Sequence, residues 1–171
     1  MGGRLVVISG LPGVGKSDAA RRVAAALGAV HLSIDSIEEA LLSSGLDDGW
    51  TTGVAAYEAV RAAAELNLSL GLTVVVDAVN DSDPARETWR RAAASTAASL
   101  RWVMIACSDP PEHRRRLESR ERGLAFIVEL TWDDVGARAD EYAPWTDPVL
   151  HIDSARRSPD EVAAEILDAL R

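Results

Sequence analysis

The sequence predicts an α/β fold built on a parallel sheet, and three observations carry that expectation. Five short runs rich in β-branched residues alternate with segments of helical periodicity, and parallel strands need helical crossovers between them. The glycine-rich stretch "GLPGVGKS" stands between the first such run and the first helical segment. No internal repeat, low-complexity tract or long linker interrupts the alternation, and 171 residues suit one domain, residues 1–171, with a sizeable core.

The elements follow in order. "RLVVIS", Arg4 to Ser9, reads as a strand buried on both faces and ended by glycine. From Lys16 to Leu27, Ala20, Val23, Ala24 and Leu27 recur at helical spacing, with Gly28 as the stop. Ala29 to Asp35 reads as the second strand, followed by a short helix from Ser36 to Gly45. A long helix, about Thr52 to Leu70, leads through Gly71 to the third strand, Leu72 to Asp77. "SDPARETWRRAAASTAA" is a helix with Ser82 or Asp83 as cap and Pro84 in its first turn. Leu100 to Ser108 is the fourth strand, and "DPPEHRRRLESRERG" is helical after its prolines. Thr131 caps a further helix over "TWDDVGARADEYA", and Pro148 to Asp153 is the fifth strand. The last helix has Ser158 as N-cap, Pro159 at its first position, Glu161 completing a capping box, and Val162, Ile166 and Leu170 on one face.

An apolar fraction of 47% and a charged fraction of 26% describe a folded globular chain and exclude a disordered one. The net charge of -9 repels polyphosphate backbones, so nucleic acid is disfavoured as a partner, with "HRRRLESRERG" the one local exception. No segment approaches the ~20 apolar residues of a membrane span. The single cysteine, Cys107, forms no intramolecular disulfide and fits a reducing compartment, so a cytoplasmic location is expected. Lys16 is the sole lysine; the other seventeen of the 18 basic residues are arginine.

Ligands of parallel α/β sheets bind at the carboxyl ends of the strands, which directs attention to Gly10, Asp35, Asp77, Cys107 to Asp109 and Asp153. "GLPGVGKS" fits the pattern G-x-x-x-x-G-K-[ST], so Gly10, Leu11, Pro12, Gly13, Val14, Gly15, Lys16, Ser17 and the adjoining Asp18 are expected to bind ATP. The glycines let backbone amides wrap phosphate oxygens at a helix N-terminus. Lys16 would reach the β- and γ-phosphates and Ser17 would hold Mg²⁺. A compact point charge on a flexible stem suits that cradle better than the planar fork of arginine, which is a reason for lysine here alone.

The carboxylate of Asp35 is either a general base for an attacking hydroxyl or the N-cap of the following helix. Asp77 ends "TVVVD" as a metal-holding carboxylate would, or opens an Asx turn; with Asn80 it is also a candidate for contacting the acceptor. Arg116 and Arg120 lie one helical turn apart, with Arg122 just before Gly123. They form either a lid near 114–130 that stabilises the transferring group or a solvated face paired with Glu118 and Glu121. Trp89 and Trp102 read as core, Trp50, Trp132 and Trp145 as edge residues, and His31 and His151 as structural.

Taken together, "GLPGVGKS", "LSID" with Asp35, "VVVDAVN" with Asp77, "RRRLESR" with Arg116 and Arg120, and "PVLHIDSARRSPDEV" resemble the small P-loop kinases of the zeta toxin, chloramphenicol phosphotransferase and polynucleotide kinase type. The resemblance covers essentially the whole length. It implies a three-layer α/β/α fold with sheet order 2-3-1-4-5, Asp35 as catalytic base, Arg120 as the lid arginine with Lys16 on the phosphates, and adenine near "DSARRSP", including Arg156. It further implies an ATP-dependent kinase acting on a hydroxyl of a small molecule, an antibiotic among the candidates. Competing readings are a nucleotide or RNA-end kinase and a regulatory ATP-binding protein with no acceptor. The oligomeric state is not legible.

Overall fold

The computed structural model describes residues 2–171. Among these, strands β1 (Arg4–Ser9), β2 (Val30–Ser33), β3 (Thr73–Ala78), β4 (Ser99–Ala106) and β5 (Val149–Asp153) form one sheet. The helices are α1 (Lys16–Leu27), α2 (Ile34–Ser43), α3 (Trp50–Ser69), α4 (Asp83–Thr96), α5 (Pro110–Ser119), α6 (Trp132–Glu141) and α7 (Pro159–Ala169). The strand order is 2-3-1-4-5 and every pairing is parallel.

A parallel sheet must bury both faces, and the alternation along β1 shows how it does so. Leu5 and Val7 point to a layer formed by α3 and α4, where they meet Val74, Val76, Trp89 and Trp102. Val6 and Ile8 point to the opposite layer, formed by α1 and α7, with Val75, Val103 and Ile105. In α3, Ala56, Val60, Ala64 and Leu68 recur every fourth residue and give the buried stripe that seats it on the sheet. The expected capping box of Ser158 with Glu161 is present, and the expected cap Thr131 forms a second one with Asp134. Among the described residues no helix is long and apolar enough to cross a membrane.

Two boundaries depart from expectation in ways that matter for the site. β2 pairs with β3 over only four residues, Val30 to Ser33, and the chain turns helical at Ile34, whose side chain needs the turn to reach the α3 core. Asp35 therefore lies in the first turn of α2 with Ser33 as N-cap, and the capping role for Asp35 is overturned. α5 ends at Ser119, two residues beyond its last buried apolar anchor, Leu117, and Arg120 is already extended, with φ −72° and ψ 136°. Arg116 and Arg120 thus share no helix face.

Candidate active site

The site grows from the carboxyl edge of β1. Gly10, with φ +150°, brings the chain against the carbonyl of Ile105 on β4, where a Cβ would overlap that oxygen. The loop that follows is fastened from three sides. Gly10 N donates to Val79 O (3.4 Å), His113 Nε2 donates to Pro12 O (2.8 Å), and Ser154 Oγ donates to Val14 O (2.9 Å). Leu11 packs against the α1 and α7 layer. Gly15, in left-handed conformation with open space beside it, starts α1, so the amides of the loop converge at a helix N-terminus.

Lys16, only 7% exposed, sits at the base of this cradle. Burial pushes its ammonium below the ordinary lysine range, opposed by Asp35 and Asp77 and reinforced by Arg120 and Arg122. Asp77, also buried, accepts from Ser17 Oγ (2.8 Å) and Ser33 Oγ (3.4 Å) on one oxygen and from His31 Nε2 (2.6 Å) on the other. Burial alone would raise its pKa, but His31, the Lys16 charge and the Ser17 hydroxyl together hold it below the usual carboxylate range.

Across the cavity from the loop, Asp35 Oδ2 accepts from Arg122 Nη1 (2.7 Å). Arg122 Nε and the Arg120 guanidinium both reach Glu129, at 2.9 Å and 2.7 Å. Arg116 is held apart from them by Glu112 (2.6 Å) and by the carbonyl of Ser154 (3.0 Å). A cavity of about 840 Å³ joins these groups: the loop from Gly13 to Asp18, His31, Asp35, Arg116, Arg120, Arg122 and Arg157 all line it. The arrangement combines a backbone cradle, a buried cation, two paired guanidinium groups and the partly exposed Asp35 carboxylate, which is the equipment for binding a polyphosphate.

Three sequence assignments fail on geometry. Asn80 is fully buried at φ 54°, its Nδ2 donating to Ser9 Oγ (2.8 Å) and its Oδ1 accepting from Trp89 Nε1 (2.8 Å), so no part of its amide faces an acceptor. Asp77 has both oxygens engaged beneath the cavity and does not line it; it keeps its place beside Ser17 but loses the acceptor role. Arg156 does not line the main cavity; it lines an adjoining depression of about 510 Å³ with Ser108, Asp109 and Asp153, and Arg157 lines both.

Residues overlooked in the sequence include His31, Glu129 and Arg86. His31 had a legible signal: it shares a face of β2 with Ser33, and two polar residues on alternate positions of a short strand mark a face turned toward another polar group. Arg86, 1% exposed, donates to the carbonyls of Asn80 (3.0 Å), Ala143 (2.6 Å) and Pro144 (2.7 Å) and lies 3.9 Å from the ring centre of Trp145. It clamps the loop after β3 to the chain leaving α6.

A parallel sheet in the order 2-3-1-4-5 with a phosphate-binding loop after β1 defines a kinase-like P-loop NTPase fold. Residues 5–141 match the family described as AAA domain, and the chain belongs to that family. A KTI12 homolog of Oryza sativa is 28% identical over 177 residues, covering 97% of this chain; the chain spans 58% of that relative's length. A putative kinase of Chloroflexus aurantiacus has a similar structure, with a TM-score of 0.79 at 16% identity and full coverage of both chains. So does the APS kinase CysC of Mycobacterium tuberculosis, solved with AMPPNP and APS, with a TM-score of 0.73 at 24% identity over 99% of this chain and 98% of that one. At these identities the structural likeness establishes the fold.

Proposed function

We propose that the protein is an ATP-dependent phosphotransferase that moves the γ-phosphate of ATP to a hydroxyl of a small molecule, in the manner of the small P-loop kinases of the zeta toxin and chloramphenicol phosphotransferase type. The observation that carries this reading is the single cavity in which the phosphate cradle and Lys16 meet Asp35 and the arginines of residues 120–122. The family match and the likeness to the APS kinase, solved with a nucleotide analogue and an acceptor, support it.

In this mechanism the loop amides and Lys16 grip the β- and γ-phosphates, and the incoming negative charge offsets the burial that disfavours the ammonium. Asp35 accepts the proton of the acceptor hydroxyl, its carboxylate oriented by Arg122. Arg120 turns from Glu129 toward the transferring group while Arg122 stays on Asp35, with residues 114–130 as the lid. Ser17, a hard oxygen donor on the cavity wall, would hold a magnesium ion, with Asp77 accepting from its hydroxyl from beneath. When bound, that ion neutralises charge on the phosphates.

The test is incubation with γ-labelled ATP and panels of antibiotics, sugars and nucleosides. A labelled small product is expected with the natural chain, falling by about 10²- to 10⁴-fold in Asp35→Asn while AMPPNP still binds. Label appearing solely as free phosphate across the panels would refute transfer to a small acceptor and favour a regulatory ATPase. Transfer undiminished in Asp35→Asn would remove the base assignment.

A further inference from the structure

Two carboxylates on α2, Asp35 and Glu39, stand one helical turn apart and grip the same stretch of chain. Asp35 holds the side chain of Arg122; Glu39 holds backbone. Ala125 N donates to Glu39 Oε1 (2.6 Å), Phe126 N is shared between both oxygens (3.1 Å each), and Ile127 N donates to Oε2 (3.0 Å). Residues 120–131 contain neither helix nor strand, so these amides have no ladder to occupy, and one carboxylate satisfies three in succession. The chain doubles back between the two grips at Gly123, whose φ is +67°.

Arg122 and Ala125 are three residues apart, a reach of at most about 10 Å, so fixing the amides of 125–127 confines the backbone of Arg122 to the neighbourhood of Asp35. The guanidinium groups of Arg120 and Arg122 are then tied together by Glu129. Release of the amides would leave side-chain ion pairs, partly open to water, as the tethers of this stretch, and such pairs are weak.

We propose that Glu39 is a positioning residue for the phosphotransfer reaction: by clamping the amides of Ala125, Phe126 and Ile127 to α2, it fixes Arg122 against Asp35 and keeps Arg120 on the wall of the cavity that Lys16 also lines. The proposal rests on the kinase reading and adds to it a residue that contacts neither phosphate nor acceptor. Its effect passes through the loop to Arg120 and Arg122, so it acts on turnover and leaves the loop from Gly10 to Ser17, which holds the nucleotide, untouched.

The experiment compares the full chain with Glu39→Ala and the isosteric Glu39→Gln, reading amide hydrogen exchange by NMR, ADP affinity, and kcat and KM for ATP with phosphate release as the turnover probe. In Glu39→Ala the amides of 125–127 are expected to exchange about 10-fold faster or more, with amides of β1 and β3 unchanged. kcat is expected to fall about 10-fold while KM for ATP and the ADP affinity stay within about twofold. Glu39→Gln, whose amide oxygen still accepts, should fall between the two. Exchange that does not quicken overturns the clamp, and faster exchange with unaltered kcat overturns the positioning role. A natural chain that labels no acceptor, with or without phosphate release, defeats the kinase reading itself, whereas measurable turnover that Glu39→Ala leaves intact defeats the role of Glu39 alone.

Discussion

Asn80→Ala separates a structural role from an acceptor-binding one. The substitution removes the oxygen that accepts from Trp89 Nε1 and the nitrogen that donates to Ser9 Oγ, each at 2.8 Å and all within fully buried surroundings. An indole N–H left unpaired in the core costs roughly 2 kcal/mol. Asn tolerates the left-handed backbone found here, and alanine at that φ adds about 1 kcal/mol. The sum, about 3 kcal/mol, corresponds to a fall in Tm of roughly 6–12 °C for a chain of this size. Differential scanning calorimetry measures it, and the labelled-product assay should show an acceptor KM that does not change. A double-mutant cycle with Trp89→Phe sharpens the test. With the indole N–H gone, Asn80→Ala should cost about 1–2 kcal/mol less than in the natural background. A Tm within about 2 °C of the natural chain, or strict additivity in the cycle, would refute the reasoning. A stable variant with a raised acceptor KM would return Asn80 to the binding site.

Three further outcomes are expected. Lys16→Met should lose ATP binding yet melt no lower than the natural chain, because burial outweighs the two carboxylates that favour its charge; isothermal titration and calorimetry report both halves. Gly10→Ala should cost about 3 kcal/mol or more, since the new Cβ overlaps the Ile105 carbonyl at a φ that alanine avoids, and the loss should appear as a lowered urea midpoint. Asp77 has a folded pKa below its unfolded value, so its stabilisation is present above the ordinary carboxylate pKa and lost as pH falls through the folded one. Circular dichroism of acid unfolding should therefore show a shallower pH dependence below about pH 4 in Asp77→Asn than in the natural chain.

What the sequence revealed and what it withheld divide along physical lines. The loop "GLPGVGKS" was legible because its chemistry is local: glycines, lysine and serine at fixed spacing between one strand and one helix. The sheet order came with the resemblance and is the observed one. The helix caps at Thr131 and Ser158 were likewise local and correct. The misplacements came where tertiary contacts decide. Ile34 turns helical because a core pocket waits for it, which moved Asp35 from strand end to helix. Asn80 carries the composition of a binding loop, yet the partners that consume its amide, Ser9 and Trp89, lie 71 and 9 positions away in the chain. The pairing of Arg122 with Asp35 spans 87 positions and carries no spacing signal. Arg156 and Arg157 are adjacent, and only the direction of the loop tells which enters the cavity.

The clamp centred on Arg86 has a mechanical consequence. It joins the turn after β3 to the chain at Ala143 and Pro144 through a guanidinium that is itself buried, three carbonyl acceptors and an aromatic plate. Residues 120–129, by contrast, hang on carboxylates nearer the surface. The two attachments are therefore unequal in stiffness, one cast in place and the other strapped on. Changes in the strapped stretch, which brings Arg120 and Arg122 to the cavity, would reshape that wall at little expense to folding.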